Sequence, residues 1–386
     1  MKTILFLLLV WATTLPGISA PKAPIQTGAE QTNLYVSSLK GKRVGMVVNQ
    51  TSMIRQTHVV DSLLALGITI KTIFAPEHGF RGTASAGEKI GNGRDPKSGV
   101  SIISLYGKNY KPAPAQLDSL DVVVFDIQDV GARFYTYIST LHYVMEACAE
   151  AKKPLVVLDR PNPNGHYVDG PVLDPAFKSF VGMHPIPVVH GLTVGELARM
   201  INGEKWLAGG VQCALMVVPV AHYTHAMPYT LPIAPSPNLP NRQAVLLYPS
   251  LCFFEGTNVS LGRGTDTQFQ VIGSPTYPSG SYTFMPTDKP GAVNPPNKGK
   301  LCYGYDLTKI NAQNMHFSLK YLLDFYQKTP DKAAFFLKGN FIDKLAGGDQ
   351  LRKQIIAGVP ETAIRQGWEP ALTRYKLLRK TYLLYP

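Results

Sequence analysis

The sequence predicts an α/β protein in which a Rossmann-like domain with a mostly parallel sheet precedes a smaller α+β domain. Between residues 44 and 220, continuous apolar runs alternate with segments whose apolar residues recur at helical spacing. Strands that lack a polar face are buried on both sides, as in parallel sheets with helical crossovers. The expected strands are 44–48, 68–74, 102–105, 122–127, 155–158 and 214–220, and the expected helices are 59–66, 135–151 and 194–201.

The second half of the chain has a different pattern of proline, glycine and apolar residues, which predicts a separate domain. Prolines punctuate residues 235–240, an apolar run at 246–254 is expected to form a strand, and a glycine-rich segment begins at Gly256. Helical spacing returns at 319–326 and around Ile355. The predicted division is a signal peptide at 1–20, the Rossmann-like domain at 21–225 and the α+β domain at 226–386.

The composition indicates an exported globular protein. Of 386 residues, 17% are charged and 45% hydrophobic, which excludes global disorder. Residues 1–20 combine Lys2, a short apolar run and a small residue, Ala20, so we expect a cleaved secretory signal, with a retained anchor as the alternative. We expect a periplasmic location, with secretion as the second choice, and no membrane insertion after cleavage. The net charge of +12 comes from scattered basic residues, so no nucleic-acid partner is expected, and the oligomeric state is open.

The sequence predicts neither a cofactor nor a metal. Residues 49–52, after the first strand, are Asn-Gln-Thr-Ser rather than the glycine-rich turn that binds dinucleotide phosphates. The histidines are dispersed, and the four cysteines lack the spacing of a zinc site. Whether any two cysteines form a disulfide is open.

Polar residues gather where the predicted strands end. Three strands run into the polar segments 76–82, 126–135 and 159–165. Ligands of open parallel sheets bind outside the carboxyl ends of the strands, so these segments predict a site. Each group also has a structural reading, because Asp126 can cap a strand and Asp129 can pair with Arg133. The candidates are Glu77, His78, Arg81, Asp126, Gln128, Arg133, Tyr135, Arg160 and Asn162.

The second domain contributes one comparable segment, residues 253–265. Glu255 is expected to leave an apolar strand and enter a loop that holds Asn258 and Arg263. A desolvated Glu suits a general acid, whereas a simple turn with a Glu255–Arg263 ion pair is the structural alternative. If the domains face each other, Glu77 and Glu255 line opposite walls of one cleft.

Two carboxylates across a sugar-sized cleft are the groups required for glycoside cleavage. A metal-dependent hydrolase acting through His78, Asp126 and Asp129 is one alternative. A non-catalytic protein that binds cell-wall fragments is another. The G-x-S-x-G turn of serine hydrolases is absent from the sequence.

Five motifs, in order along the chain, resemble the NamZ-type exo-β-N-acetylmuramidases, a glycoside hydrolase family once known only as a domain of unknown function. The resemblance implies a Rossmann-like domain, a distinct C-terminal domain and an active cleft between them. It also implies a peptidoglycan-derived substrate, from whose non-reducing end N-acetylmuramic acid is released. Glu77 is then the leading catalytic candidate and Glu255 the second. The motifs are residues 77–82, 104–107, 126–133, 159–163 and 255–265.

The expected chemistry follows from the substrate that the resemblance implies. Glu77 donates a proton to the glycosidic oxygen, and Glu255, Asp126 or the acetamido oxygen of the substrate takes the second role. Arg81, Arg133 and Arg263 are the candidates to hold the lactyl carboxylate of N-acetylmuramic acid. The sequence leaves retention, inversion and the length of the released product open.

Overall fold

A seven-stranded sheet organises the N-terminal half of the molecule. The computed structural model describes residues 23–80, 91–107, 109–278 and 280–386, so the predicted signal peptide and Arg81 lie outside the described residues. The strands are β1 (Arg43–Val48), β2 (Met53–Ile54), β3 (Thr57–His58), β4 (Thr69–Ala75), β5 (Gly93–Arg94), β6 (Ser101–Ser104), β7 (Val122–Asp126), β8 (Leu155–Leu158), β9 (Asp169–Val172), β10 (Pro187–Val189), β11 (Leu215–Val218), β12 (Val271–Ser274), β13 (Tyr282–Phe284) and β14 (Cys302–Asp306).

The sheet order confirms the predicted α/β class. The strands lie in the order β11-β8-β7-β1-β4-β6-β5, and only the short edge strand β5 runs antiparallel. The order reverses at β1: β4 and β6 lie on one side of it, whereas β7, β8 and β11 lie on the other. The loops after β4 and β7 therefore emerge at the carboxyl edge on either side of β1, where a crevice is expected.

Helices cover the sheet and build most of the C-terminal half. The helix α5 begins where the Thr193 side chain accepts a hydrogen bond from the Glu196 amide, while the Glu196 carboxylate accepts one from the Thr193 amide. The helices are α1 (Thr32–Leu39), α2 (Val59–Ala65), α3 (Pro114–Leu117), α4 (Tyr137–Glu150), α5 (Val194–Gly203), α6 (Arg242–Leu251), α7 (Lys320–Lys328), α8 (Phe341–Ala346), α9 (Gln350–Ile356), α10 (Glu361–Gln366) and α11 (Glu369–Lys380). Short 3₁₀ helices lie at Gly28–Glu30, Pro175–Phe177, Ala208–Gly210, Cys252–Gly256 and Lys332–Ala334.

The prediction of a strand at 246–254 is wrong, because this segment is helical. It forms the end of α6 and the 3₁₀ helix Cys252–Gly256. Asn241 starts α6 by accepting a hydrogen bond from the Ala244 amide at 3.0 Å. A fully buried helix is apolar on all sides, so its sequence resembles that of a buried strand. Pro249 lacks the amide that a central strand needs, and it is the residue in this run that disfavours a strand.

The C-terminal part is a smaller α+β unit that packs on the first. Its antiparallel sheet has the order β12-β14-β13, followed by α7 to α11. The chain end returns to the first domain, where the Tyr385 hydroxyl donates to the Asp159 carboxylate at 2.6 Å. One hydrophobic cluster extends from Val47 in the sheet to Tyr375 in α11, so the two units share a continuous core.

The structure also describes the four cysteines and the length and polarity of the helices. All four cysteines are free and buried. Cys148 and Cys213 lie in side-chain contact, and that contact together with burial raises the pKa of Cys148. In the ranges that the structure describes, no helix has both the length and the apolar character needed to cross a membrane.

Candidate active site

Glu77 stands on a sharp turn directly after β4. The Pro76 carbonyl accepts a hydrogen bond from the Gly79 amide at 3.0 Å, which closes the turn around Glu77 and His78. His78 and Gly79 both have left-handed backbones, with φ of 67° and 78°. A left-handed His is uncommon, and such residues concentrate at functional sites. The turn leaves Glu77 partly exposed at the carboxyl edge of the sheet.

The segment that leads into α4 fixes the Glu77 carboxylate. Thr136 Oγ1 donates a hydrogen bond to Glu77 Oε2 at 2.9 Å, and the Tyr137 hydroxyl lies 3.4 Å from the Glu77 carbonyl. The Tyr135 hydroxyl donates to the Pro235 carbonyl at 2.8 Å. Burial raises the pKa of both tyrosines, so they remain protonated donors at neutral pH. The loop after β7 thus orients the carboxylate that β4 delivers.

Glu255 and Arg263 form the opposing wall. Glu255 lies in the 3₁₀ helix that continues α6, and its Oε1 accepts a hydrogen bond from Arg263 Nη2. The guanidinium also lies over the Phe269 ring, 5.2 Å from its centroid. Burial alone would lower the pKa of Arg263, but the contact with Glu255 outweighs it and raises that pKa. Glu255 is therefore a carboxylate held in an ion pair.

These two walls enclose one cavity of about 190 Å³. The N-terminal domain supplies Glu77, the C-terminal domain supplies Glu255, and Ser236 and Asn238 add a polar edge. Aromatic side chains make up much of the remaining surface. The lining residues are Glu77, His78, Tyr106, Phe134, Tyr135, Thr136, Tyr137, Phe180, Val181, Ser236, Asn238, Leu239, Tyr248, Glu255, Arg263 and Phe269.

Family comparison decides what kind of protein carries this cavity. Residues 44–243 match the model of the N-terminal domain of the exo-β-N-acetylmuramidase NamZ, and residues 246–385 match that of its C-terminal domain. The chain belongs to the NamZ family. Peptidoglycan β-N-acetylmuramidase NamZ of Bacillus subtilis (strain 168) is 39% identical over 395 residues, which cover 95% of this chain and 93% of the relative. This NamZ family member is thus a homologue of a glycoside hydrolase.

Two crystal structures of DUF1343 family proteins from Bacteroides fragilis share the NamZ fold seen in this chain. The first superimposes with a TM-score of 0.87 at 46% identity and covers 94% of this chain and 99% of that chain. The second superimposes with a TM-score of 0.83 at 28% identity and covers 95% of this chain and 100% of that chain. Both domains therefore have experimentally determined counterparts.

Asp126 and Arg160 are placed away from the cavity of this NamZ family member. Arg160 donates from Nε and Nη2 to the two oxygens of Asp126, at 2.6 and 2.9 Å, and both residues are buried. Such a fork-to-fork pair uses both carboxylate oxygens. The pair joins the ends of β7 and β8, and neither residue lines the cavity. This geometry favours a structural role over the expected catalytic role of Asp126 and binding role of Arg160.

Gln128 and Asn162 also serve the fold. Gln128 Nε2 donates to the Pro161 carbonyl at 2.7 Å, and Asn162 Nδ2 donates to the Leu192 carbonyl at 2.8 Å. A Cβ atom at Gly131 would lie 2.1 Å from Asn162 Oδ1, which explains the glycine in the 126–133 motif. Neither Gln128 nor Asn162 lines the cavity. Their hydrogen bonds fix the conformation of the loops after β7 and β8.

Arg133, a predicted ligand of the lactyl carboxylate, is fully buried instead. Its guanidinium donates to the carbonyls of Pro171 and Ile186 at 2.7 Å and to that of Leu345 at 2.8 Å. Leu345 belongs to α8, so Arg133 fastens the C-terminal domain to the loop that orients Glu77. Burial lowers the pKa of Arg133 to about 9.

Asn258 lies beside the cavity rather than in it. It lines a second cavity of about 360 Å³, which shares Glu255 and Arg263 with the first. Its main-chain amide donates to the Phe335 carbonyl, and its carbonyl accepts from Asn297 Nδ2. His78, Tyr135 and Arg263 line the first cavity as expected, and Arg81 lies outside the described residues.

Several lining residues could not be singled out from the sequence. Thr136 is a common residue type between two tyrosines, and Tyr106 belongs to the 104–107 motif, whose residue types do not indicate a role. Ser236 and Asn238 lie in a proline-rich segment that indicates only turns. Tyr248 lies in the segment whose helix resembles a strand. Among the described residues, no group of three or more His, Cys, Asp or Glu side chains is arranged to hold a metal ion.

Proposed function

We propose that this chain is an exo-β-N-acetylmuramidase, which hydrolyses the β-1,4 bond that joins a terminal N-acetylmuramic acid to the rest of a peptidoglycan fragment. The observation that carries the proposal is the placement of Glu77 and Glu255 around one cavity, from two domains. The relationship to the B. subtilis peptidoglycan β-N-acetylmuramidase supports the substrate class.

In the proposed mechanism the two carboxylates have different roles. Glu77, oriented by Thr136, protonates the glycosidic oxygen as the bond to the leaving sugar breaks. Glu255, in its ion pair with Arg263, stabilises the positive charge that develops at the anomeric carbon. A water molecule then adds to that carbon, and its released proton restores the Glu77 carboxyl group. The hydrogen bond from Thr136 thus fixes the position of one carboxyl group, and the ion pair with Arg263 fixes the position of the other.

Arg263 is the proposed ligand of the lactyl carboxylate. It is the candidate arginine that lines the cavity within the described residues, whereas Arg133 donates to backbone carbonyls. A guanidinium carries five N–H donors, so it can serve Glu255 and a substrate carboxylate together.

The test is release of free N-acetylmuramic acid from the disaccharide N-acetylmuramyl-N-acetylglucosamine. Glu77→Gln should lower kcat by at least about a hundredfold without loss of thermal stability, because Gln keeps the shape but cannot donate the proton. The matched control is Glu369→Gln, an exposed glutamate at the start of α11. A wild-type protein that binds the disaccharide without cleaving it contradicts the proposal, as does near-normal turnover by Glu77→Gln.

We also propose that the protein is exported, most simply to a periplasm. The support is the basic start, apolar run and small residue within residues 1–20. N-terminal sequencing of the native protein from a cell-envelope fraction should give a chain that starts just after this segment. Recovery of the uncleaved chain from the cytosol contradicts export.

A further inference from the structure

Aromatic rings continue from the cavity onto the neighbouring surface. Tyr106 and Phe180 line the cavity, and both contact Tyr110, with ring centroids 6.2 and 4.1 Å apart. Tyr143 on α4 lies 6.2 Å from Tyr110 and 6.4 Å from Phe180, with ring planes only 18° and 19° apart. These four residues are called the aromatic platform below.

The platform is assembled from three separate parts of the chain. Tyr106 and Tyr110 follow β6, Tyr143 lies in α4, and Phe180 follows the 3₁₀ helix Pro175–Phe177. All four side chains remain partly exposed rather than joining the core. Contiguous exposed apolar surface at the mouth of a cavity is typical of a binding site.

The chemistry of the platform favours a neutral sugar. A pyranose ring presents C–H groups on its faces, and an aromatic ring that covers them removes apolar surface from water. Lys111, next to Tyr110 in the chain, already forms ion pairs with Glu146 and Glu150 at 2.8 and 2.7 Å. The Lys111 ammonium group is thus already paired with two carboxylates. We therefore expect the aromatic platform to bind a ligand by ring stacking rather than by charge.

We propose that the aromatic platform binds the leaving part of the substrate, the N-acetylglucosamine-containing saccharide on the reducing side of the cleaved bond. The inference rests on the proposed function: if the cavity holds the terminal sugar, the rest of the chain lies outside its mouth. The platform is continuous with the cavity through Tyr106 and Phe180. Longer fragments then bind more tightly than the cavity alone would allow.

Product inhibition tests the platform separately from the cavity. Disaccharide hydrolysis is measured with either free N-acetylmuramic acid or N,N′-diacetylchitobiose as inhibitor. In Tyr110→Ala, the inhibition constant for chitobiose should rise about tenfold, the ratio expected for one lost stacking contact. The constant for N-acetylmuramic acid should change by less than about twofold. The matched control is Tyr303→Ala, an exposed tyrosine in β14 that should change neither constant.

The outcomes separate the two proposals. The platform proposal is refuted if chitobiose inhibits wild type, Tyr110→Ala and Tyr303→Ala equally. It is also refuted if chitobiose does not inhibit the wild type. A wild type that releases no N-acetylmuramic acid overturns the proposed function instead. If Tyr110→Ala melts at a lower temperature, Tyr143→Leu makes the same test, because Leu keeps the helix and removes the ring.

Discussion

Glu77 shows how the backbone positions a candidate catalytic side chain. The left-handed pair His78-Gly79 turns the chain back immediately after β4, so that Glu77 is held out of the sheet. Thr136 then fixes one carboxylate oxygen from the opposite side of β1. His78 is buried, and burial of this kind can hold a strained backbone conformation in place.

Replacing Thr136 should lower the rate without unfolding the protein. Thr136→Val keeps the shape but removes a hydrogen bond to a carboxylate, so kcat on the disaccharide should fall about tenfold with little change in KM. Thr283→Val, at an exposed position in β13, is the matched control. Unchanged kcat in Thr136→Val would show that this hydrogen bond does not position Glu77 for reaction.

At the scale of elements, α4 connects the site to a buried pair of histidines. His142 Nδ1 and His184 Nε2 lie 3.0 Å apart, and Glu146 lies 3.7 Å from His142. Burial lowers the pKa of His142 to about 4, with Lys178 adding to the effect. Burial also places the pKa of His184 well below its usual value, reinforced by His142. Both rings are therefore neutral in the folded protein at neutral pH.

This pair predicts a loss of stability in mild acid. The pKa of His142 is lower in the folded than in the unfolded protein, so the unfolded chain binds the proton more tightly. The stability that the neutral His142 ring provides is therefore fully present above pH 6.5 and is lost as the pH falls towards 4. Between pH 7.5 and 5, His142 should contribute a loss of about 2 kcal/mol in the free energy of unfolding. Denaturant unfolding at both pH values measures it.

The comparison variants isolate the histidine. His142→Gln cannot take up the proton and should lose less stability than the wild type over the same pH interval. His316→Gln, at an exposed position, should lose as much as the wild type. An identical loss in His142→Gln and wild type would assign the acid sensitivity to other groups.

The sequence predicted most sheet elements to within a few residues, because apolar runs between helices have few other readings. It failed at 246–254, where a helix buried on all sides and a buried strand share the same composition. Of the site residues that it predicted, Glu77, His78, Tyr135, Glu255 and Arg263 line the cavity. It could not separate these from Asp126 or Arg133, since a polar residue at a strand end can face either the cavity or a buried partner.

At the scale of the whole molecule, the cavity depends on how firmly the two domains are joined. The hydrophobic core crosses the boundary, and Arg133 links the loop before α4 to α8 through the Leu345 carbonyl. Domains with a large apolar interface move little relative to each other. The distance between Glu77 and Glu255 is therefore set by the fold rather than by closure on substrate.

Removing the Arg133 guanidinium should weaken this connection. Arg133→Met leaves three backbone carbonyls without their donor, so the free energy of unfolding should fall by about 3 kcal/mol or more. Arg374→Met, at an exposed position in α11, should change it by less than about 0.5 kcal/mol. A stable Arg133→Met protein with a strongly raised KM would instead place Arg133 in substrate binding.

The central claim is that Glu77 and Glu255 act together on one glycosidic bond. Its most direct test is a double-mutant cycle that measures kcat for release of N-acetylmuramic acid by wild type, Glu77→Gln, Glu255→Gln and the double variant. If the two carboxylates serve one transition state, the double variant should be about as slow as the slower single variant. Losses that multiply, or a near-normal rate in either single variant, would contradict the account.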